Sequence, residues 1–121
     1  MASKLETALV ERCSMTKTQV AALKLHSRVR KGEISARAAA ASRNRSGTTI
    51  GAYYRVVGQA RANVVRALFT LVLCSKFNVI GVQDLIKLAE VAQKIPSELD
   101  GEAYDQVISL LDGLVRRVVM I

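Results

Sequence analysis

Apolar side chains recur at helical spacing along most of the chain, and a single proline, Pro96, interrupts the pattern. The longest regular stretch starts at Thr48 or Thr49 and continues, at intervals of three and four residues, as far as Val72. The seven glycines are few beside the many Ala, Val and Leu residues, which favours helices over a turn-rich β-sandwich. The sequence therefore predicts an all-α fold, a helical bundle with one long central helix.

Helix boundaries are indicated by two capping boxes, in which Ser or Thr precedes Glu or Gln by three positions. Ser3 with Glu6 and Thr16 with Gln19 fit this pattern, and Gly32 predicts the end of the second helix. Short strands over 79–80 and 118–121 are an open alternative to helical or irregular structure there. The expected helices cover residues 3–12, 16–31, 35–42, 49–75, 82–95 and 102–120.

Two segments carry more apolar residues than one buried face needs. The long helix is apolar almost all round beyond Val64, so we expect this half to be the most buried element. The last helix has one regular apolar stripe from Tyr104 to Val118, and Leu110 and residues 119–121 lie outside it. Exposed apolar surface of this kind commonly marks an interface. We therefore expect a dimer or a larger assembly through residues 102–121.

The charge of the chain is high and unevenly distributed. Eighteen Lys and Arg residues against ten Asp and Glu residues give a net charge of +8. Residues 1–76 carry +11 of net charge, and residues 77–121 carry −3. A basic surplus of this size indicates a polyanionic partner, most often nucleic acid. The sequence thus predicts a basic DNA-binding part, 1–76, and an acidic and apolar assembly part, 77–121, within one compact unit.

Several classes of protein are not expected. The longest apolar run, 64–74, contains Arg66 and is shorter than the roughly 20 residues of a transmembrane helix. No signal peptide is recognisable, so we expect a cytoplasmic protein with no membrane partner. The only histidine is His26, and Cys13 and Cys74 lie far apart, which does not fit a zinc site. Without a nucleophile, base and orienting group, we expect no enzymatic activity, no metal and no cofactor.

The alanine-rich segment 35–42, a short basic turn and the helix from Thr48 have the outline of a helix-turn-helix. In that motif the second helix enters the major groove of DNA by its N-terminal end. Arginine can reach phosphates or read guanine, and the threonine methyl group can contact thymine. The predicted phosphate contacts are Arg37, Arg43 and Arg45, and the predicted base contacts are Thr48, Thr49 and Arg55.

Three stretches also resemble a known family. They are residues 15–25 (MTKTQVAALKL), 32–35 (GEIS) and 59–68 (QARANVVRAL). Over residues 14–71 the chain resembles the helix-turn-helix of sigma-factor promoter-binding domains and archaeal Tfx-type regulators. The turn is longer here, and Ala38, Ala41 or Ser42 stand where that family has Ile or Leu. The resemblance implies sequence-specific DNA binding, usually as a dimer, with no catalysis.

Two functions are compatible with these features. The first is a dimeric helix-turn-helix transcription regulator that binds double-stranded DNA. The second is a DNA-packaging nucleoprotein, or a helical virion coat subunit, that contacts phosphates without reading the sequence and assembles on DNA. Tyr53 and Tyr54 could stack on bases, although their place in the apolar stripe favours core packing.

Overall fold

The computed structural model describes residues 3–43, 49–96 and 99–121. Within these ranges the chain is helical, and no strand is present apart from a single antiparallel bridge between Ile80 and Val119. The all-α fold expected from the sequence is confirmed. In chain order the helices are α1 (Lys4–Arg12), α2 (Lys17–Arg30), α3 (Ala36–Ala41), α4 (Ile50–Lys76), α5 (Val82–Lys94) and α6 (Gly101–Val118).

The helices begin and end where the sequence signals lie. The Thr16 hydroxyl accepts the Gln19 amide at 3.1 Å, and the Gln19 side chain accepts the Thr16 amide at 3.2 Å. The Ser3 hydroxyl likewise accepts the amide of Glu6 at 3.1 Å. Gly32 follows α2 with a φ of +78°, which glycine adopts without the steric cost that a side chain would add. Local capping therefore accounts for the N-termini of α1 and α2 and for the C-terminus of α2.

The chain divides into two compact units. The first, Arg12–Ala67, contains α2, α3 and the first two-thirds of α4, and we call it the basic unit. The second combines Met1–Glu11 with Leu68–Ile121, and we call it the acidic unit. The division by contacts falls after Ala67, whereas the division expected from charge falls after Lys76.

Small side chains dominate the core of the basic unit. Ala22 of α2 and Ala39 and Ala40 of α3 are buried against Tyr53 and Val57 of α4. Alanine brings the helix backbones close together, and Tyr53 is the large side chain that fills the space between them. Half-buried aliphatic residues surround this cluster, namely Leu25, Val29, Ile34, Ala36 and Val56.

The acidic unit has its own core, and the C-terminal tail belongs to it. Val118 is buried, and its carbonyl accepts the amide of Gly81 at 2.8 Å. The amide of Met120 in turn donates to the carbonyl of Val79 at 2.8 Å. The two segments proposed as alternative strands are thus paired, but only by one bridge. The other buried side chains of this unit are Leu5, Ala8, Ile80, Leu111 and Leu114.

The second half of α4 is exposed, and the expectation that it would be the most buried element is wrong. Leu68, Phe69, Val72 and Leu73 are 57%, 68%, 63% and 52% exposed. Buried residues of α4 occur only in its first half. Apolar composition predicts burial only when the same chain supplies the covering element, and within the described residues no element covers this face.

Helix α4 is also long and apolar enough, by length and composition alone, to cross a membrane. Its arginines do not suit a membrane span. Arg55, Arg61 and Arg66 lie along it, and arginine is costly within a bilayer. Only 17% of its apolar window is buried within the protein.

Candidate nucleic-acid interface

The basic unit contains nearly all the surplus positive charge of the protein. Residues 12–67 include twelve Lys and Arg residues and one acidic residue, Glu33, which gives a net charge of +11. The Glu33 carboxylate already pairs with Arg28 at 3.2 Å. The acidic unit carries −3. A polyanion is therefore attracted to the basic unit and repelled by the acidic unit.

Helix α3 positions Arg37. The Ser35 hydroxyl caps α3 by accepting the amide of Ala38 at 3.0 Å. Ala39 and Ala40 turn one face of this helix into the core, so that Arg37 lies on the exposed face. The Arg37 guanidinium makes no hydrogen bond or ion pair with any described residue. Its guanidinium is therefore accessible to a ligand.

Arg43 is less free than Arg37. Its guanidinium donates to the carbonyl of Ala52, in the first turn of α4, at a long distance of 3.5 Å. The side chain is half-buried, and its positive charge partly counteracts the raised pKa of Tyr53. Arg43 thus ties the segment after α3 to the start of α4 and can still present part of its guanidinium to a phosphate.

Thr49 caps α4. Its hydroxyl accepts the amide of Ala52 at 3.1 Å, and its carbonyl accepts the amide of Tyr53 at 2.9 Å. One lone pair of the hydroxyl oxygen is used in this way, which leaves its second lone pair and its proton for a ligand. The other two predicted contacts, Arg45 and Thr48, lie outside the described residues.

Arg55 lies on an exposed face of α4 together with Gln59 and Arg66, because residues four and seven positions apart share a helix face. Gly51 and Gly58 flank this face, and a Cβ atom at either position would meet no atom within 4 Å. Glycine inside a helix destabilises it by about 1 kcal/mol relative to alanine. Internal packing does not require these glycines, whereas close approach by an external ligand would explain them.

A hydrogen-bonded chain fixes α4 against the start of α2. The Asn63 amide donates to the Gln19 side-chain oxygen at 2.7 Å, and the same oxygen accepts the Thr16 amide. Arg66 in turn donates to Asn63 at 3.3 Å. Gln19 and Asn63 belong to two of the three stretches that carry the family resemblance. The capping box of α2 is thereby connected to the helix that presents Arg55.

The two tyrosines of α4 have different environments. Tyr53 is fully buried, and its hydroxyl lies 3.0 Å from Nδ1 of His26. Burial, more than any neighbouring charge, raises the pKa of Tyr53 above its usual 10.0, so the phenol is neutral near pH 7. Tyr54 packs against Tyr53 with ring centroids 5.3 Å apart and is nearly half exposed. Core packing thus holds for Tyr53, whereas Tyr54 offers a ring face to solvent.

The basic unit contains a second group of cations that was not predicted from the sequence. Arg30 and Lys31, at the end of α2, and Arg61 of α4 line an open cleft of about 610 Å³. The sequence signal was the pair of cations directly before Gly32, which places them together at a helix C-terminus. Among the described residues no group of three or more His, Cys, Asp or Glu side chains is placed to hold a metal ion.

Comparison with known proteins identifies no relative of this chain. No protein-family model matches the chain, and neither a curated protein nor a solved structure matches it.

Proposed function

We propose that the chain binds double-stranded DNA through its basic unit, as a helix-turn-helix transcription regulator. The observation that carries this proposal is the charge of residues 12–67. This segment contains twelve cations and a single carboxylate, and that carboxylate is already paired. Duplex DNA presents about one negative charge per 1.7 Å of its axis and releases counterions when cations bind it. It is the polyanion that best suits a basic surface on a small helical domain.

The arrangement of α3 and α4 supports reading of the major groove. The two helices pack through Ala39, Ala40, Tyr53 and Val57 and are joined by residues 42–49. The second helix of such a pair reads base edges with the exposed residues of its first turns. Arg55 occupies that place in α4, and arginine reads guanine through two acceptors.

A packaging nucleoprotein or virion coat subunit is the second candidate. The observation that favours it is the small number of side chains that remain available to contact base edges. Thr49 is engaged as a cap, Arg43 is tied to Ala52, and Tyr53 is buried. Within residues 49–60 the long polar side chains that remain exposed are Tyr54, Arg55 and Gln59. A regulator should prefer its site over random duplex by ~10³ or more, and a packaging protein should not.

Binding measured over a series of salt concentrations tests both candidates. Fluorescence anisotropy on random and selected duplexes should show log K falling with log salt by about 0.9 per phosphate neutralised. Replacing Arg43 and Arg45 together by Ala should weaken binding and flatten this slope. A slope near zero for the unmodified protein would remove DNA as the partner.

We also propose that the chain self-associates through apolar surface of the acidic unit. The sequence placed this surface in residues 102–121, where Leu110, Val115 and residues 119–121 are exposed. A second exposed group, Leu68, Phe69, Val72, Leu73 and Phe77, lies in the same unit. With on the order of 100 Å² per fully exposed side chain, the two groups offer ~600 Å² per copy. A pair would bury ~1,200 Å², the lower limit of a standard interface, so a second copy is the occupant we propose.

A further inference from the structure

The open cleft of about 610 Å³ lies within the basic unit, between the second half of α2 and the middle of α4. Its cationic residues are Arg30 and Lys31 at the end of α2 and Arg61 of α4. Its apolar residues are Leu23 of α2 and Val57 and Val64 of α4, so each helix contributes both kinds of side chain. Its volume is within the range of about 300–1,000 Å³ that small-molecule sites occupy. The cleft therefore combines room for a ligand with cationic and apolar side chains.

Among the described residues the cations of this cleft have no counter-charge. No Asp or Glu of that part of the chain lines the cleft, and the side chains of Arg30, Lys31 and Arg61 make no ion pair or hydrogen bond within it. Arg28, on the same turn of α2, is by contrast paired with Glu33. Like charges gathered at one site repel one another, and an anion bound among them would relieve the repulsion. Arginine suits a phosphate in particular, because its guanidinium can donate two parallel hydrogen bonds.

His26 and Ser27 add further polar side chains to the same cleft. The hydrogen bond between His26 Nδ1 and the Tyr53 hydroxyl holds the imidazole ring against the core. The other ring nitrogen, Nε2, has no partner among the described residues. The site thus offers directed hydrogen bonding as well as charge, which diffuse surface basicity does not.

The cleft opens on a different side of α4 from Arg55. At about 100° per residue, Arg61 lies about 120° around the helix from Arg55, and Val64 lies about 180° from it. A duplex bound along the Arg55 face therefore meets other side chains of α4. A ligand in the cleft would therefore be separate from a duplex on the Arg55 face.

We propose that this cleft binds a phosphate group carried on an apolar or aromatic body, as in a nucleoside phosphate. Arg30, Lys31 and Arg61 hold the phosphate, and the body lies on Leu23, Val57 and Val64. This inference does not depend on the proposed DNA binding. A DNA backbone phosphate offers the same charged group, so the test includes duplex DNA as a separate arm.

The test is calorimetric titration of the full chain at about 0.15 M salt with ATP, inorganic pyrophosphate and a 20-base-pair duplex. The variant is Arg61→Gln, and the matched control is Arg55→Gln, which also changes an exposed arginine of the same helix. We expect ATP to bind more tightly than pyrophosphate, because pyrophosphate lacks the apolar body. Arg61→Gln should weaken ATP binding roughly tenfold, in line with the loss of a charge-assisted hydrogen bond, and leave duplex binding within twofold. Arg55→Gln should leave ATP binding unchanged whether or not DNA is the partner.

Three results would overturn the proposal. One is the absence of saturable ATP binding at millimolar concentration. Another is equal weakening of ATP binding by Arg61→Gln and Arg55→Gln, which would indicate attraction to net charge only. The third is loss of duplex binding alone in Arg61→Gln, which would assign the cleft to the DNA backbone. Circular dichroism of both variants establishes that the helices are intact.

Discussion

Base-specific recognition by the proposed DNA interface depends on Arg55. If α4 enters the major groove, Arg55→Ala should relax the preference at one base position at a cost of ~1–3 kcal/mol. Arg37→Ala on α3 is the matched control, because a phosphate contact should be lost equally on every sequence and lower the salt slope by about one. Anisotropy on a selected site and on its single-base variants separates the two. A uniform loss with Arg55→Ala would favour the packaging function.

Gly58 of α4 gives a test in which the stability of the fold and the affinity for DNA change in opposite directions. Gly58→Ala has open space for its methyl group, so it should stabilise the fold by up to about 1 kcal/mol. The same methyl group should weaken DNA binding if a duplex approaches this face closely. Gly113→Ala in α6 also meets open space and should stabilise the protein without changing DNA affinity. Urea unfolding and anisotropy measure both quantities, and unchanged DNA affinity in Gly58→Ala would exclude close approach there.

Tyr53 should make the stability of the basic unit depend on pH in the alkaline range. Its pKa in the folded state is raised above 10.0, chiefly by burial, so its stabilising contribution is complete below pH 10. That contribution is lost as the pH rises from 10 through the folded-state pKa, because the unfolded chain ionises first. Tyr53→Phe should be less stable near pH 7, where the bond to His26 is lost, and should decline less above pH 10. Parallel declines of the two proteins in urea unfolding would contradict this.

At the scale of single residues, the sequence predicted which side chains are exposed better than it predicted what they contact. Arg37 and Arg55 are exposed as expected, because cations on the polar side of a helix have no reason to turn inward. Thr49 could equally have been a cap or a base contact, since both uses need a hydroxyl at a helix N-terminus. The Arg43 bond to Ala52 was not predictable, because it depends on the path of the segment that follows α3.

Helix limits were well predicted, and helix orientation was not. Thr16, Gly32 and Pro96 are local signals, and the helices begin and end beside them. In α5 the apolar residues Val82 and Ile86 are exposed, whereas Leu85, Leu88 and Val91 are half-buried. A helix that is apolar on several sides does not specify which side packs, because that choice depends on its neighbours.

The bond between Gln19 and Asn63 should contribute measurably to the attachment of α2 to α4. Breaking it with Asn63→Ala should cost about 0.5–1.5 kcal/mol in urea unfolding. A double-mutant cycle with Gln19→Ala should return coupling of similar size, because the two side chains meet at 2.7 Å. Gln59→Ala, an exposed position of the same helix, should show no coupling to Gln19→Ala. Equal coupling for both positions would mean that the cycle reports a general loosening of α4.

For the whole molecule, charge separation was visible in the sequence, but the grouping of segments was not. The acidic unit joins the first eleven residues to residues 68–121, a pairing that no local pattern indicates. With that grouping the net charges are still +11 and −3, and the basic unit holds twelve cations and one carboxylate. The exposed apolar face of α4 could not be predicted either, because the sequence does not tell whether a covering surface comes from the same chain or from another.

The test of self-association requires point variants and not a deletion. Removing residues 118–121 would take the buried Val118 and the pairing with residues 79–81 out of the acidic unit, so loss of assembly could reflect unfolding. Leu68→Glu with Val72→Glu instead changes two exposed positions one helical turn apart on α4. Leu110→Glu with Val115→Glu changes two exposed positions five residues apart on α6. Gln83→Glu with Gln93→Glu is the control, because it adds the same charge at exposed polar positions of α5.

Sedimentation equilibrium at 1–100 μM should show a dimer or larger species for the unmodified chain and for the α5 control, as expected for association constants in that range. Both apolar-site variants should move toward monomer, and the α4 pair should move further because its side chains are more uniformly exposed. Burial is worth ~25 cal/mol per Å², and two glutamates brought into such an interface would be desolvated without partners. A monomer at 100 μM would refute self-association. If the same monomer bound to lipid vesicles and the α4 pair abolished that binding, a membrane surface would be the occupant of this face.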